Sequence, residues 1–176
     1  MILKIAIVLI VAVVCILSLA ATRPSTFRIQ RSMLMAAPSE KIFDLINDFH
    51  RWPEWAPQDT EDASMKRIYS GSPKGAGAIS EWTGKGSTGS GRMEITQSRS
   101  PTSIEIQTTF VKPFAARNLN EFTLEAEGTE TRVRWSMQGP NLYLMKLMGL
   151  FTNMDRLMGR HFEAGLRNLK RLAEAE

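Results

Sequence analysis

The sequence of 176 residues is poor in the side chains that bind metals. It has one cysteine, Cys15, and two histidines, His50 and His161. A lone thiol forms no internal disulfide and no thiolate metal site. The histidines lie far apart and no carboxylate-histidine spacing repeats, so a metal site would have to be assembled from distant segments. We therefore expect neither a bound metal nor a cofactor.

A strong charge of either sign is also lacking. The chain has 22 lysines and arginines against 18 acidic residues, a formal net charge of +4. No basic run is interleaved with aromatic residues, as nucleic-acid binding would require. We expect no nucleic-acid partner. With 43% hydrophobic residues, the chain is long enough for one well-buried domain and a short additional element.

Charged residues are absent from Ile5 to Ala21, a run of 17 residues. At ~1.5 Å per residue, a helix of this length crosses most of a ~30 Å hydrocarbon layer. We interpret the run as an uncleaved membrane anchor. A cleaved signal peptide is the alternative, because Lys4 precedes the run and Ser18-Leu19-Ala20 resembles a cleavage site. The apolar part of a signal peptide is normally only ~7 to 15 residues long.

Basic residues around this run bear on its orientation. Lys4 and the amino terminus precede it, and Arg23, Arg28 and Arg31 follow it. The larger positive charge after the run favours a single-pass membrane protein with its domain on the cytoplasmic face. The predicted organisation is an anchor at residues 1–22, a linker at 23–26 and a folded domain at 27–176.

Past Pro24 the hydrophobic pattern alternates as it does in strands. Phe27, Ile29 and Met33 share one face of a first strand, and a short amphipathic helix begins at Pro38 or Ser39. Six further strand-like segments, separated by glycine, proline or acidic turns, suit an antiparallel meander with one apolar face. These segments are residues 65–70, 78–83, 91–97, 103–110, 118–125 and 131–138.

A glycine-rich stretch, Gly84–Gly89, spells G-x-G-x-x-G after one of these strands. In a dinucleotide site the motif opens a helix whose amino terminus holds the phosphates. Here the next segment alternates as a strand. The stretch therefore predicts a hairpin loop.

The last fifth of the chain predicts one long helix with a broad, methionine-rich apolar face. Asn141 is its expected N-cap, and Gly149 is the expected position of a bend. Such a helix must cover an apolar surface, and the sheet offers the only large one. The apolar face consists of Leu147, Phe151, Met154, Met158, His161, Gly165, Leu169 and Leu172.

The order of these elements, together with the local sequences of residues 37–43, 48–55 and 162–170, resembles the START-like (SRPBCC) superfamily, specifically its polyketide cyclase/dehydrase-like branch. The resemblance covers about residues 26–174. It implies an α+β helix-grip fold, in which a curved antiparallel sheet of about seven strands wraps around a long C-terminal helix and two short helices follow the first strand. It also implies a cavity between sheet and helix that takes lipids, hormones, polyketides or other apolar molecules.

We therefore predict a membrane-tethered protein that binds a hydrophobic small molecule or lipid. A polyketide cyclase/dehydratase-like enzyme and a protein-interaction module with a filled cavity stay open as alternatives, although no catalytic motif is present. Ligand identity and oligomeric state are left open. His161 is the candidate acid/base or polar handle for a ligand, and the methionines suit an adaptable pocket. The predicted pocket consists of Trp82, Ile106, Phe110, Phe122, Trp135, Met137, Met154, Met158 and His161.

Overall fold

The computed structural model describes residues 1–57, 64–112 and 115–175, except for the side chains of Ser87 and Met154. Short 3-10 helices lie at Phe49–Glu54 and Gly86–Thr88. The other elements are α1 (Ile2–Ala21), β1 (Thr26–Met35), α2 (Ser39–Asn47), β2 (Lys66–Gly71), β3 (Ala78–Thr83), β4 (Ser90–Arg99), β5 (Ser103–Lys112), β6 (Ala116–Glu127), β7 (Glu130–Pro140), α3 (Tyr143–Met148) and α4 (Met154–Glu174).

The strands form one antiparallel sheet in the order β1-β7-β6-β5-β4-β3-β2, which confirms the predicted helix-grip fold. Every strand after β2 pairs with the strand before it, and β7 then returns to pair with β1. The register of β4 and β5 shifts between Ser90 and Gly91 and again between Ile95 and Gln97. Such bulges bend a strand and increase its twist, which helps the sheet to curve around α4.

Helix α1 is almost entirely exposed, and Ala20 is its one buried residue. Among the described residues it is the one helix long and apolar enough to cross a membrane, a property that signal sequences share. The chain after α1 is tied to the domain by Asn141. Its backbone N–H donates to the Ser25 carbonyl at 2.8 Å, and its side chain donates to the Pro24 carbonyl at 3.1 Å.

The predicted long C-terminal helix is present as α4, but it does not extend back to Asn141, because the chain breaks after the predicted bend at Gly149 and residues 149–153 separate α3 from α4. Helix α3 ends at Gly149, and the Asn153 side chain accepts a hydrogen bond from the Arg156 N–H at 2.9 Å. That bond satisfies a donor at the start of α4, so Asn153 and not Asn141 is the N-cap. Phe151 lies in the break and is 74% exposed, outside the face that covers the sheet.

Helix α4 buries Gly165 and Leu169 of the predicted face, together with residues one position after other predicted ones. Its fully buried side chains are Phe162, Leu166, Leu169 and Ala173. His161 and Leu172 flank that face and are partly buried. Four arginines on the opposite face, Arg156, Arg160, Arg167 and Arg171, are exposed.

A charged cluster fastens α4 to β1. Arg31 lies on the inner face of β1, where its Nε donates to Glu163 at 2.8 Å and its Nη2 donates to Asp155 at 2.9 Å. Gly159 makes room for this guanidinium, because an added Cβ would overlap it. The hydrogen bond from Arg31 lowers the pKa of Asp155 below its ordinary value of 3.8.

Replacing Arg31 by methionine should weaken the attachment of α4. Because both carboxylates are about half exposed, water screens these ion pairs, and we expect a loss of about 1 kcal/mol in the free energy of unfolding. The matched control is Arg134→Met, which removes an outer-face contact with Glu125 at 3.4 Å and should cost no more than about 0.5 kcal/mol. Equilibrium unfolding followed by tryptophan fluorescence measures both.

The contribution of the Arg31 cluster to the free energy of unfolding should also depend on pH. Because the pKa of Asp155 is depressed in the folded state, its stabilising effect is complete above its ordinary pKa and is lost as the pH falls through the lowered value. The difference in the free energy of unfolding between wild type and Arg31→Met should therefore become smaller below pH 3.8. A difference that stays constant between neutral and strongly acidic pH would contradict this role of Asp155.

Candidate functional site

Aromatic rings fill most of the space between the sheet and α4. The rings of Trp135 and Phe162 stack with centroids 4.2 Å apart and planes at 1°. Phe122 also stacks on Trp135, with ring centroids 4.9 Å apart, and Trp55 meets Trp135 edge-on at a centroid distance of 6.0 Å. The Trp55 indole N–H donates to the Leu45 carbonyl at 3.2 Å, so its polar atom is satisfied in the core.

One small cavity is left beside these rings. Its volume is about 30 Å³, enough for a single water molecule. Polar groups line part of its wall: Trp135 donates from Nε1 to Asn120 at 3.3 Å, and Asn120 donates from Nδ2 to the Thr108 hydroxyl at 2.8 Å. The wall consists of Trp52, Ala56, Pro57, Trp82, Met93, Thr108, Phe110, Asn120, Trp135, Met137, His161 and Phe162.

The structure distributes the predicted pocket residues over three places. Ile106 and Phe122 are fully buried core residues outside the lining of the cavity. Met158 lies in a separate, larger groove. The side chain of Met154 is outside the described part of the structure. The five that line the cavity are Trp82, Phe110, Trp135, Met137 and His161.

The larger groove lies between the start of β1, helix α3 and the start of α4. Its volume is about 560 Å³. The hydrophobic pattern did not predict this groove, because its walls come from two segments far apart in the sequence, residues 23–29 and 141–158. Its apolar wall consists of Phe27, Ile29, Met145, Leu150, Phe151 and Met158.

Some residues of the groove and of the cavity are neighbours in the structure. Ile29 lines the groove, and its cross-strand partner Met137 lines the cavity. On α4, Met158 in the groove lies three residues before His161 in the cavity wall, on the same side of the helix.

The rim of the groove is basic. Arg23, Arg28 and Lys146 line it, and its one acidic lining residue, Asp155, is paired with Arg31. The groove thus combines an apolar wall with cationic groups at its edge. Within residues 1–57, 64–112 and 115–175, no three His, Cys, Asp or Glu side chains are grouped so that they could hold a metal ion.

A family model described as "Polyketide cyclase / dehydrase and lipid transport" matches residues 26–174. The chain belongs to this family. The match confirms the resemblance inferred from the sequence and covers all seven strands, α3 and α4. No curated protein matches the chain.

Solved structures similar to this member of the polyketide cyclase / dehydrase and lipid transport family share its fold at low identity. A protein from Chromobacterium violaceum has a TM-score of 0.58 and 15% identity, over 86% of this chain and 99% of its own. Major latex-like protein 151 from Panax ginseng has a TM-score of 0.61 and 11% identity, over 86% and 99%. The di-domain ARO/CYC StfQ from the steffimycin biosynthetic pathway has a TM-score of 0.64 and 11% identity, over 85% of this chain and 51% of its own. Identities this low establish the fold alone.

The polar network of the cavity should contribute to stability. Asn120→Ala removes the partner of both the Trp135 indole N–H and the Thr108 hydroxyl, and it should cost about 1–3 kcal/mol because these buried groups lose hydrogen bonds. The matched control is Asn118→Ala on the same face of β6. The Asn118 side-chain oxygen is buried without a hydrogen-bond partner among the described residues, so its removal should cost less. Chemical unfolding compares the two, and an equal or larger loss for Asn118→Ala would contradict the network.

Proposed function

We propose that this chain is a membrane-tethered binding protein for a hydrophobic small molecule or lipid. Residues 1–22 would be the uncleaved anchor, 23–26 the linker and 27–176 the binding domain. The observation that carries the proposal is the groove of about 560 Å³ beside the end of α1. Its volume falls within the range of about 300–1,000 Å³ typical of small-molecule sites, and its wall combines apolar residues with polar and charged ones.

The predicted pocket between sheet and helix would form the inner end of this site. As observed, the cavity of about 30 Å³ is too small for a lipid chain. Met137 and Met158 lie between it and the groove, and unbranched thioether side chains change rotamer readily. Their displacement by an apolar chain would extend the groove toward Trp82, Phe110, Trp135 and His161, with Ile106 and Phe122 behind them and Met154 near the start of α4.

The anchor interpretation is supported by contacts at the end of α1. The Tyr143 hydroxyl donates to the Leu17 carbonyl at 2.9 Å, and Ala20 is fully buried. Cleavage after Ala20 would remove these contacts and leave α3 without its neighbour. The basic residues Arg23 and Arg28 directly after the helix favour a domain on the cytoplasmic face.

Family membership supports an apolar ligand without naming it. The description of the family includes lipid transport as well as polyketide cyclases and dehydrases. A groove with an apolar wall and a cationic rim suits an amphiphile, which buries its chain and leaves a polar or anionic group at the edge.

The groove predicts where a photoactivatable ligand should react. We expect a diazirine-bearing fatty acid, added to the full-length protein in lipid nanodiscs, to label residues 145–158. Thr152→Trp should reduce this labelling several-fold, because Thr152 is exposed and lines the groove and an indole would occupy the space. The matched control is Thr129→Trp in the exposed β6–β7 turn. Mass spectrometry of the labelled peptides measures both.

Labelling confined to residues 2–21 would contradict the proposal, because any probe dissolved in the bilayer can reach an anchor. Equal labelling of residues 145–158 in wild type and Thr152→Trp would show that the probe binds outside the groove. Loss of labelling in both tryptophan variants would point to a general effect of the substitution and would also count against the groove.

A cyclase- or dehydratase-like enzyme is the second candidate, and the position of His161 favours it. His161 is the one histidine in the cavity wall, next to the polar pair Thr108 and Asn120, where an imidazole could transfer a proton to a bound substrate. Once a substrate is found, His161→Ala should lower turnover by about 10²-fold or more while binding persists. Unchanged turnover would remove the only named catalytic candidate.

A further inference from the structure

One end of the sheet carries basic residues from four separate segments. The antiparallel pairing brings the start of β1 to the end of β7, because Thr26 pairs with Pro140. The same pairing places the β3–β4 and β5–β6 hairpins at that end. We call it the anchor end; it consists of residues 22–28, 84–90, 111–112, 115–117 and 139–153. These segments contain no Asp or Glu. Their six basic residues are Arg23, Arg28, Lys85, Lys112, Arg117 and Lys146.

The opposite end of the sheet has no such bias. Its connections between strands are residues 71–78, 99–103 and 127–130. They carry both signs of charge, from Lys74 and Arg99 to the two acidic residues of the β6–β7 turn. Among the described connections between strands, the excess of positive charge therefore lies in the segments of the anchor end.

Exposed apolar side chains lie at the same end. Every residue of α3 is at least partly exposed, although most of them are apolar. Phe151 is 74% exposed, Val111 is 59% exposed, and Tyr143, Leu144 and Met148 are each 48% exposed. A short helix with exposed apolar side chains, an aromatic residue and adjacent basic groups is typical of segments at a membrane interface.

We propose that the anchor end docks on an anionic bilayer surface, with α3 in the interface and the basic residues at the lipid headgroups. The proposal rests on the membrane tether of the proposed function. The bilayer is the occupant that the contacts favour, because α3 contacts the end of α1, where the Tyr143 hydroxyl donates to the Leu17 carbonyl. The excess positive charge complements anionic headgroups. In this arrangement the groove opens onto the lipid, and an amphiphile can enter it without crossing water.

The test uses hydrogen exchange of the full-length protein in nanodiscs of phosphatidylcholine, with and without phosphatidylserine. We expect slower exchange in residues 143–151 and at Val111 when phosphatidylserine is present, and no change in residues 71–78 or 99–103. The double substitution Lys112→Glu/Arg117→Glu should reduce that protection about tenfold or more, because each basic residue near an anionic surface adds to the attraction.

The matched control is Lys74→Glu/Arg99→Glu, which makes the same change in net charge at the opposite end and should leave the protection intact. Both pairs of side chains are exposed, so neither double substitution should disturb the folded core. Equal exchange in the two kinds of nanodisc would overturn the proposal. An equal effect of the two double substitutions would also overturn it, since only total charge would then matter.

Two further readouts separate docking from the tether and from a protein partner. If the protein does not stay with the nanodiscs and residues 2–21 exchange freely, the tether fails and docking fails with it. If residues 2–21 are protected while the anchor end exchanges equally in both lipids, docking alone is wrong. Protection of α3 that rises with protein concentration in phosphatidylcholine alone would assign the surface to a second copy of the chain and would overturn the proposal.

Discussion

The contact between α4 and the inner face of the sheet is the constraint on which the rest of the domain depends. The rings of Trp135 and Phe162 lie 4.2 Å apart and parallel. The helix can come this close because Gly165 faces the sheet; a Cβ there would lie 2.8 Å from the Trp135 ring. Gly159 similarly leaves room for Arg31. Two glycines and one ring stack thus set the spacing, and that spacing leaves a cavity of about 30 Å³.

The start of α4 decides where open space remains. Because Asn153 caps a new helix, residues 149–153 leave the path of α4, and α3 is displaced toward the end of α1. The groove forms in the angle between these pieces and the start of β1. The same break also creates the exposed surface of α3. The break at residues 149–153 therefore contributes to both the candidate ligand site and the candidate membrane surface.

These features fit one mode of action. The tether would hold the anchor end near lipid, the basic rim would favour an anionic group, and the groove would take the apolar part of an amphiphile. The filled aromatic interior gives the domain a rigid wall on one side of the site. The methionines between groove and cavity form its adaptable side, and they would determine how long a chain the domain accepts.

Most of the fold could be predicted from the sequence. Alternation of apolar residues placed all seven strands and the inward face of β1, because the direction of a strand side chain follows from local backbone geometry. The uncharged run from Ile5 to Ala21 identified α1 for the same kind of local reason. The G-x-G-x-x-G stretch was correctly predicted to be a hairpin loop, since the alternating segment after it excluded a helix.

The site was predictable only in part. Five of the nine predicted pocket residues line the cavity, because periodicity identifies which side chains face inward. Periodicity does not reveal how much space their combined volume leaves. Nor did it show that Arg31, on an apolar strand face, would pair with Asp155 and Glu163, which lie more than a hundred residues away. The sequence by itself determined the elements and their faces, since these depend on neighbours along the chain. Only the tertiary structure decided how far the interior is filled and where a groove stays open, because those depend on packing between distant segments.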